Sequence, residues 1–385
     1  MSESMKKVIL ITFLLISLLL AGIGTFVYLP TIIQGLDFSS ADFRKISLVD
    51  HAERDKETLW IQTAELMVPE DAKGYVLIVP DRDYDRDWNS PGNQTRPGLR
   101  FARRLVERNM AVIRYSPPGS ADETIDLVDP DKSTEALLAV IQAFENWQKS
   151  ASQPDLPVTV LTIGEGCIVA VTALQRTETL KWTVDRLMLG GCAYSSTLLS
   201  GWAGRVFYNM ELSGASEETM NRAQEIWKSH KKEIESGAIP ELDEEAWEER
   251  LEELRKAGLS ADLQAFEKTL SHLYKPENRS WTRRAAHLEF LPLLESLRQA
   301  RPDMKIIHLL GQYDEEIHPV DRDNQENLVR SGPISNYQFV YLERTDHGFV
   351  VRDSPPASPV ENMMRRRDPF AEFSPTLLDL IAGQP

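Results

Sequence analysis

Two short segments place ionisable side chains directly behind apolar runs. Asp314 follows Lys305–Leu310 (KIIHLL), and His347 lies in Asp346-His347-Gly348-Phe349, after Phe339–Leu342 (FVYL). An imidazole can accept a proton near neutral pH, and a carboxylate can orient it. Taken singly, Asp314 serves as well as a turn cap, and His347 as a polar loop residue. A third segment, Gly164-Glu165-Gly166-Cys167, follows Val158–Ile163 (VTVLTI). It lacks the Lys-Ser/Thr of a phosphate-binding loop and the third glycine of a dinucleotide turn, so no nucleotide cofactor is expected. Cys167 and Cys192 are the only two cysteines. They cannot build a Cys-based zinc site and can form at most one bridge. Cys167 reads first as a buried structural thiol and second as a nucleophile. His308 sits inside an apolar strand and reads as a core residue. His318, near Asp314, has no second ligand at i+4. His230, His272 and His287 fall on helical stretches and read as solvated. No metal site is expected.

The elements that would position these residues alternate between strands and helices. Leu59–Val68 alternates weakly and suits an antiparallel strand. Tyr75–Val79, Ala111–Tyr115, Val158–Ile163 and Leu187–Leu189 are short apolar runs of the kind buried on both faces of a sheet. Helical spacing runs through Gly98–Arg108 and Ser133–Trp147, and a helix starts in Ile168–Leu174. Strands separated by helices predict an α/β fold with a mostly parallel sheet flanked by helices. Between residues 198 and 297 the strands stop. Glu217–Ser236, Glu241–Gly258 and Ala261–Tyr274 predict three helices, an all-helical insertion where a lid or cap would sit. Its acidic run, Glu241 to Glu253, reads as a solvated helix face.

The chain of 385 residues carries 43 Lys and Arg against 59 Asp and Glu, a net charge of −16. So negative a surface repels polyphosphate, and no nucleic-acid partner is expected. Residues Val8–Leu29 are uncharged. As a helix they span about 30 Å, the thickness of a bilayer core. Lys6 and Lys7 precede the run, which predicts a single-pass transmembrane anchor with the N-terminus cytoplasmic and the body outside, periplasmic in a bacterium. A cleaved signal peptide is the competing expectation, and both export the body. The organisation expected is an anchor over 1–30, a linker over 31–58, a first core part over 59–197, the lid over 198–297 and a second core part over 298–385.

Three of these segments resemble the α/β-hydrolase superfamily, and within it bacterial serine esterases with an early Asp-Arg-Asp motif, relatives of the acyl-CoA thioesterase and acyltransferase branch. In that family a PGSG…DRDG loop supplies an oxyanion-hole amide. Here Asp85-Arg86-Asp87 is kept, while Asp81, Arg82 and Asp83 replace the preceding glycines. Val112-Ile113-Arg114-Tyr115 resembles the family's VLRYD strand. Leu161 to Ala170 resembles its strand–turn–helix G-H-S-E-G-G-x-I-A, which exposes the nucleophile. Matching Glu165-Gly166 to E-G puts the nucleophile position at Gly164. The alternative frame puts it at Gly166. Either way a glycine stands where a hydroxyl is required. Gly311-Gln312-Tyr313-Asp314 resembles the segment carrying the orienting acid, and Asp346–Phe349 resembles D-H-G-F, which carries the catalytic histidine. The resemblance thus implies an α/β-hydrolase fold with His347 and Asp314 retained and no serine between them.

Two functions remain open on these residues. One is a membrane-tethered, exported, catalytically degenerate hydrolase fold, binding a protein partner or an acyl ligand at its pocket and lid. The other is an active esterase or thioesterase-type hydrolase using Cys167, a serine such as Ser195 or Ser196, or water activated by His347.

Overall fold

The computed structural model describes residues 43–55, 58–82, 84–88, 96–118, 128–176, 183–192, 194, 197–237, 244–256, 258, 260–314, 317, 323, 337–356, 361, 368 and 371–383. The anchor expected over 1–30 lies outside them, as do Ser195, Ser196 and His318. Among the described residues no helix is long and apolar enough to cross a membrane.

Eight strands form one sheet in the order β1-β2-β4-β3-β5-β6-β7-β8. They are β1 (Phe43–Asp55), β2 (Thr58–Pro69), β3 (Gly74–Val79), β4 (Met110–Tyr115), β5 (Val158–Ile163), β6 (Arg186–Gly190), β7 (Lys305–Gly311) and β8 (Tyr337–Leu342). β2 runs antiparallel to β1 and β4, and every later pairing is parallel. The parallel strands β3, β4 and β5 are buried along their whole length, which is why they read as mostly apolar runs. β1 falls in the stretch expected to be a linker. That stretch is polar, and its strand character comes from the long antiparallel register with β2.

Helices cover both faces. α1 (Pro97–Val106) and α10 (Pro375–Ala382) pack on one side, with Leu99, Phe101, Leu105, Leu377 and Ile381 in its core. On the other side lie α2 (Pro130–Ser150) and α3 (Gly166–Arg176). The insertion supplies α4 (Leu198–Leu212), α5 (Glu217–Glu235), α6 (Glu244–Lys256), α7 (Ala261–Ser271), α8 (Arg279–Ala285) and α9 (Phe290–Ala300). Thr197, Ser216 and Ser260 cap α4, α5 and α7 by accepting from N–H groups that a helix start leaves unpaired. Ala223, Trp227 and Ile234, spaced to share one side of α5, join the same core as the sheet face beneath. The helical insertion is therefore a continuation of the core. Glu245, Glu248, Glu249 and Glu253 of its acidic run are exposed.

His230, expected on a solvated face, is buried in the lid, its Nδ1 2.5 Å from the hydroxyl of Tyr274. An amphipathic face buries whatever polar group finds a partner, and spacing alone did not reveal the tyrosine. His308 is a core residue, its Nδ1 2.6 Å from the hydroxyl of Tyr194. Burial pushes its pKa down from 6.5 to about 4. As pH falls through that window the unfolded chain takes up a proton that the folded chain refuses, so stability is lost, by on the order of 3 kcal/mol. Urea unfolding at neutral pH and near about pH 4.5 should show the wild type losing more stability than His308→Gln over this range.

Candidate functional site

The site lies where β3, β5, β7 and β8 end. β5 stops at Ile163, and the chain turns through Gly164 at φ +57° before α3 begins at Gly166. The Gly164 N–H still donates to Gly190 O at 3.0 Å, so the turn is anchored to the end of β6. The backbone separates the two sequence frames. Gly164 holds the left-handed apex, the conformation of a strand–turn–helix elbow. At Gly166 an added Cβ would sit 2.5 Å from Pro80 O and 2.7 Å from Val79 O. A side chain there would drive into the backbone after β3, so Gly166 is a close-approach glycine and does not fit the nucleophile position.

His347 and Asp314 come together. His347 Nδ1 lies 3.0 Å from Asp314 Oδ1, with both side chains buried. Beneath the imidazole runs Gly191 at φ +61°, where an added Cβ would be 2.4 Å from His347 Cε1. Phe349, at φ +62°, wedges against Gly190 in the same manner. Asp346 holds the loop. Its Oδ1 accepts from Val350 N at 2.9 Å and its Oδ2 from Arg352 Nε at 2.7 Å. Gly190 and Gly191 thus leave the backbone at the end of β6 bare for an aromatic ring and an imidazole.

The decisive side chain is one that the sequence offered only as a lost glycine. Asp81 is buried at the end of β3, and its carboxylate fills the space above Gly164. A Cβ added at Gly164 would lie 2.4 Å from Asp81 Cγ. Asp81 Oδ1 accepts from Arg82 N and from Glu165 N, each at 2.8 Å. These are an amide from the loop after the third strand and the amide that follows the elbow residue, the two donors that would stabilise an oxyanion in this architecture. Asp81 Oδ2 faces Arg205 of α4 at 3.6 Å and His347 Nε2 at 3.9 Å. Burial alone would raise the Asp81 pKa, but Arg205, His347 and Arg82 outweigh it and hold the carboxyl well below the usual range.

The helical insertion covers this point. Arg82 pairs with Glu165 at 2.5 Å and lies 5.4 Å above the Trp281 ring of α8, and Trp281 Nε1 reaches Glu165 at 3.4 Å. The cavity left between the elbow and α4, lined by Gly164, Leu198, Trp202, Arg205 and Phe290 among others, measures 20 Å³. That holds about one water and no acyl group.

Cys167 is neither a free buried thiol nor a nucleophile. It is joined to Cys192 in a disulfide across 25 residues, with a Cα–Cα distance of 5.9 Å. A disulfide sulfur carries no thiolate to attack with. The bridge ties the first turn of α3 to the segment just past Gly191, and so clamps the elbow to the floor under His347. The Asp-Arg-Asp segment and the VIRY strand also meet. Arg114 donates to Asp87 and, at 2.6 Å, to Glu65, while Arg96 Nε donates to Asp87 at 2.8 Å. Among the described residues no cluster of ligands that could hold a metal is found.

An elbow after β5, its two amides, an acid after β7 and a histidine after β8, in that chain order on a mostly parallel sheet, settle the architecture. This is an α/β-hydrolase fold. No family model and no curated protein matches the sequence. Solved structures that it resembles include a hyperthermophilic esterase from Pyrobaculum calidifontis, at 12% identity and TM-score 0.45 over 93% of this chain and 87% of that one. Carboxyl esterase 2 of Tuber melanosporum aligns at 12% identity and TM-score 0.44, over 90% and 87%. A bacterial membrane phospholipase A described as a virulence factor aligns at 13% identity and TM-score 0.40, over 92% and 95%. Against these hydrolases, the α/β-hydrolase fold of this chain stands on its own strand order and elbow.

Because Gly164 and the Asp81 carboxylate share one volume, they should couple. Gly164→Ser alone is expected to destabilise the protein by about 2–4 kcal/mol, from overpacking and the left-handed backbone. With Asp81→Gly added, chemical denaturation should show the pair non-additive by on the order of 2 kcal/mol in the relieving direction. Separately, replacing both cysteines with serine should cost about 3 kcal/mol of unfolding free energy. The native protein should resist iodoacetamide until it is reduced and unfolded.

Proposed function

We propose that this chain is a catalytically silent α/β-hydrolase-fold protein, exported and tethered to a membrane by its N-terminal segment, which uses its helical insertion as a binding surface for a protein partner. One observation carries the reading. The carboxylate of Asp81 occupies both the space a side chain at Gly164 would need and the two backbone donors an oxyanion would use. An Asp–His pair without a nucleophile cannot form an acyl-enzyme, and a resident carboxylate opposes a developing negative charge. Cys167, the thiol alternative, is engaged in the disulfide.

Export and tethering are supported by the uncharged run Val8–Leu29 behind Lys6 and Lys7. The disulfide agrees with an oxidising compartment such as the periplasm. The motifs resembling those of Asp-Arg-Asp esterases and acyl-CoA thioesterase relatives suggest descent from an acyl hydrolase.

The test uses the full-length chain in detergent against a panel of aryl esters and acyl thioesters of increasing length, with and without reductant. No hydrolysis above background is expected, and His347→Ala should change nothing. Turnover that His347→Ala abolishes would sink the silent reading. For topology, externally added protease should reach the body in intact spheroplasts.

A further inference from the structure

We propose that the outer edge of β8 is an interface between two copies of this chain, each adding its β8 antiparallel to the other about a two-fold axis at Phe339. The proposal concerns a surface away from the elbow and does not depend on whether the site is silent.

The sheet ends on two outer strands, β1 and β8. An open edge offers a row of main-chain donors and acceptors to any other strand, and proteins guard it with charge, proline or a bulge. β1 is guarded. Arg44, Lys45, Asp50, Glu53, Arg54 and Asp55 lie along it, and its register shifts between Ser47 and Val49. β8 has none of these devices. Its six residues, Tyr337-Gln338-Phe339-Val340-Tyr341-Leu342, include no charge and no proline in a chain of net charge −16, and they pair with β7 without a register shift. The Leu342 carbonyl accepts from Gln312 N at 3.0 Å, on the β7 side. Main-chain groups alternate sides along a strand, so those of Val340 and Gln338 also face β7, and those of Tyr337, Phe339 and Tyr341 face outward. Among the described residues no strand pairs with that outer side. Val340 and Leu342 pack into the core under α1 and α10. Alternation puts Phe339 and Tyr341 on the opposite face. Phe339 is half-buried there, and Tyr341, 45% exposed, is the one exposed large hydrophobic side chain among the described residues.

The order of residues selects a second copy as the occupant. Aromatic residues at 337, 339 and 341 read the same in both directions about Phe339. With one Phe339 opposite the other, position 341 of each copy meets position 337 of its partner. Every outward residue then faces another outward residue, and each such pair can exchange both N–H···O=C bonds. Phenylalanine stands opposite phenylalanine and tyrosine opposite tyrosine, which are favourable cross-strand pairs. A two-fold interface requires this kind of self-complementarity. Two copies of a strongly acidic chain repel one another, and an uncharged strand is where they can touch.

A contact built on one short strand is small, so the dimer should dissociate at about 1–100 μM. Sedimentation equilibrium of the full-length chain in detergent should show a monomer–dimer equilibrium that salt shifts toward dimer by screening the repulsion. Tyr341→Lys places an ammonium group on the edge and should raise the dissociation constant at least about tenfold. Both native cysteines are joined to each other, so an added cysteine reports the register. Under a mild thiol oxidant Phe339→Cys should link two copies, because directly paired Cα atoms about 5.5 Å apart lie within reach of a disulfide. Tyr341→Cys should not, because its partner position is 337. A chain that stays monomeric up to about 200 μM overturns the proposal. So does a dimer that Tyr341→Lys leaves intact and that neither cysteine variant captures, since its contact lies elsewhere. Linking through Tyr341→Cys and not through Phe339→Cys overturns the axis at Phe339. If Tyr341→Lys does not fold, the two cysteine variants decide.

Discussion

A carboxylate taken out of water must find its charge and its lone pairs matched, or it protonates or the structure gives way. Asp81 meets that demand with groups that otherwise have little to do with one another. Two backbone amides, a lid arginine and the retained histidine converge on it. The conformation of the β3 loop, the seating of α4 and the emptiness of the elbow residue follow from this arrangement. Glycine at position 164 is required by it, because no side chain and that carboxylate can share the space.

The floor under the site is equally constrained. Gly190 and Gly191 admit Phe349 and the imidazole of His347 at distances that a Cβ would forbid. The Cys167–Cys192 bridge then fixes that floor to the first turn of α3. Elbow, floor and histidine loop are thereby held as one unit. The Asp314–His347 pair is held in place with the Asp81 carboxylate 3.9 Å from the imidazole Nε2. A proton-transfer pair can persist on packing alone when the residues beneath it have no freedom to relax.

The motifs shared with esterases divide between chemistry and scaffold. Asp87 and Arg114 belong to the scaffold. Arg114 is buried in the sheet between Glu65 and Asp87, and Arg96 completes the network from the start of α1. Burial alone would raise the Asp87 pKa, but Arg114 and then Arg96 pull it below the ordinary value. Removing one member of such a network strands another buried charge. Of Asp85-Arg86-Asp87, it is the Asp87 side chain that this network holds.

Much of the fold was legible locally. Strands β3, β4 and β5 are short runs whose apolar side chains must be buried on both faces, and Gly164 and Gly166 bracketed the elbow. Asp314 and His347 were recognisable by residue type and by their place after strands, through the resemblance they carry. β1 was not legible, because its strand character arises from pairing with β2 rather than from its own composition. Nor was the burial of His230 against Tyr274, or the joining of Cys167 to Cys192. The choice between Gly164 and Gly166 needed a backbone angle and the distance to Pro80. Sequence alone determined that an acid–histidine pair stands with no hydroxyl at the elbow. Only the tertiary structure decided what occupies the space instead. Asp81 and Gly164 are 83 residues apart along the chain, and nothing local to either encodes that folding will press one's carboxylate onto the other's backbone.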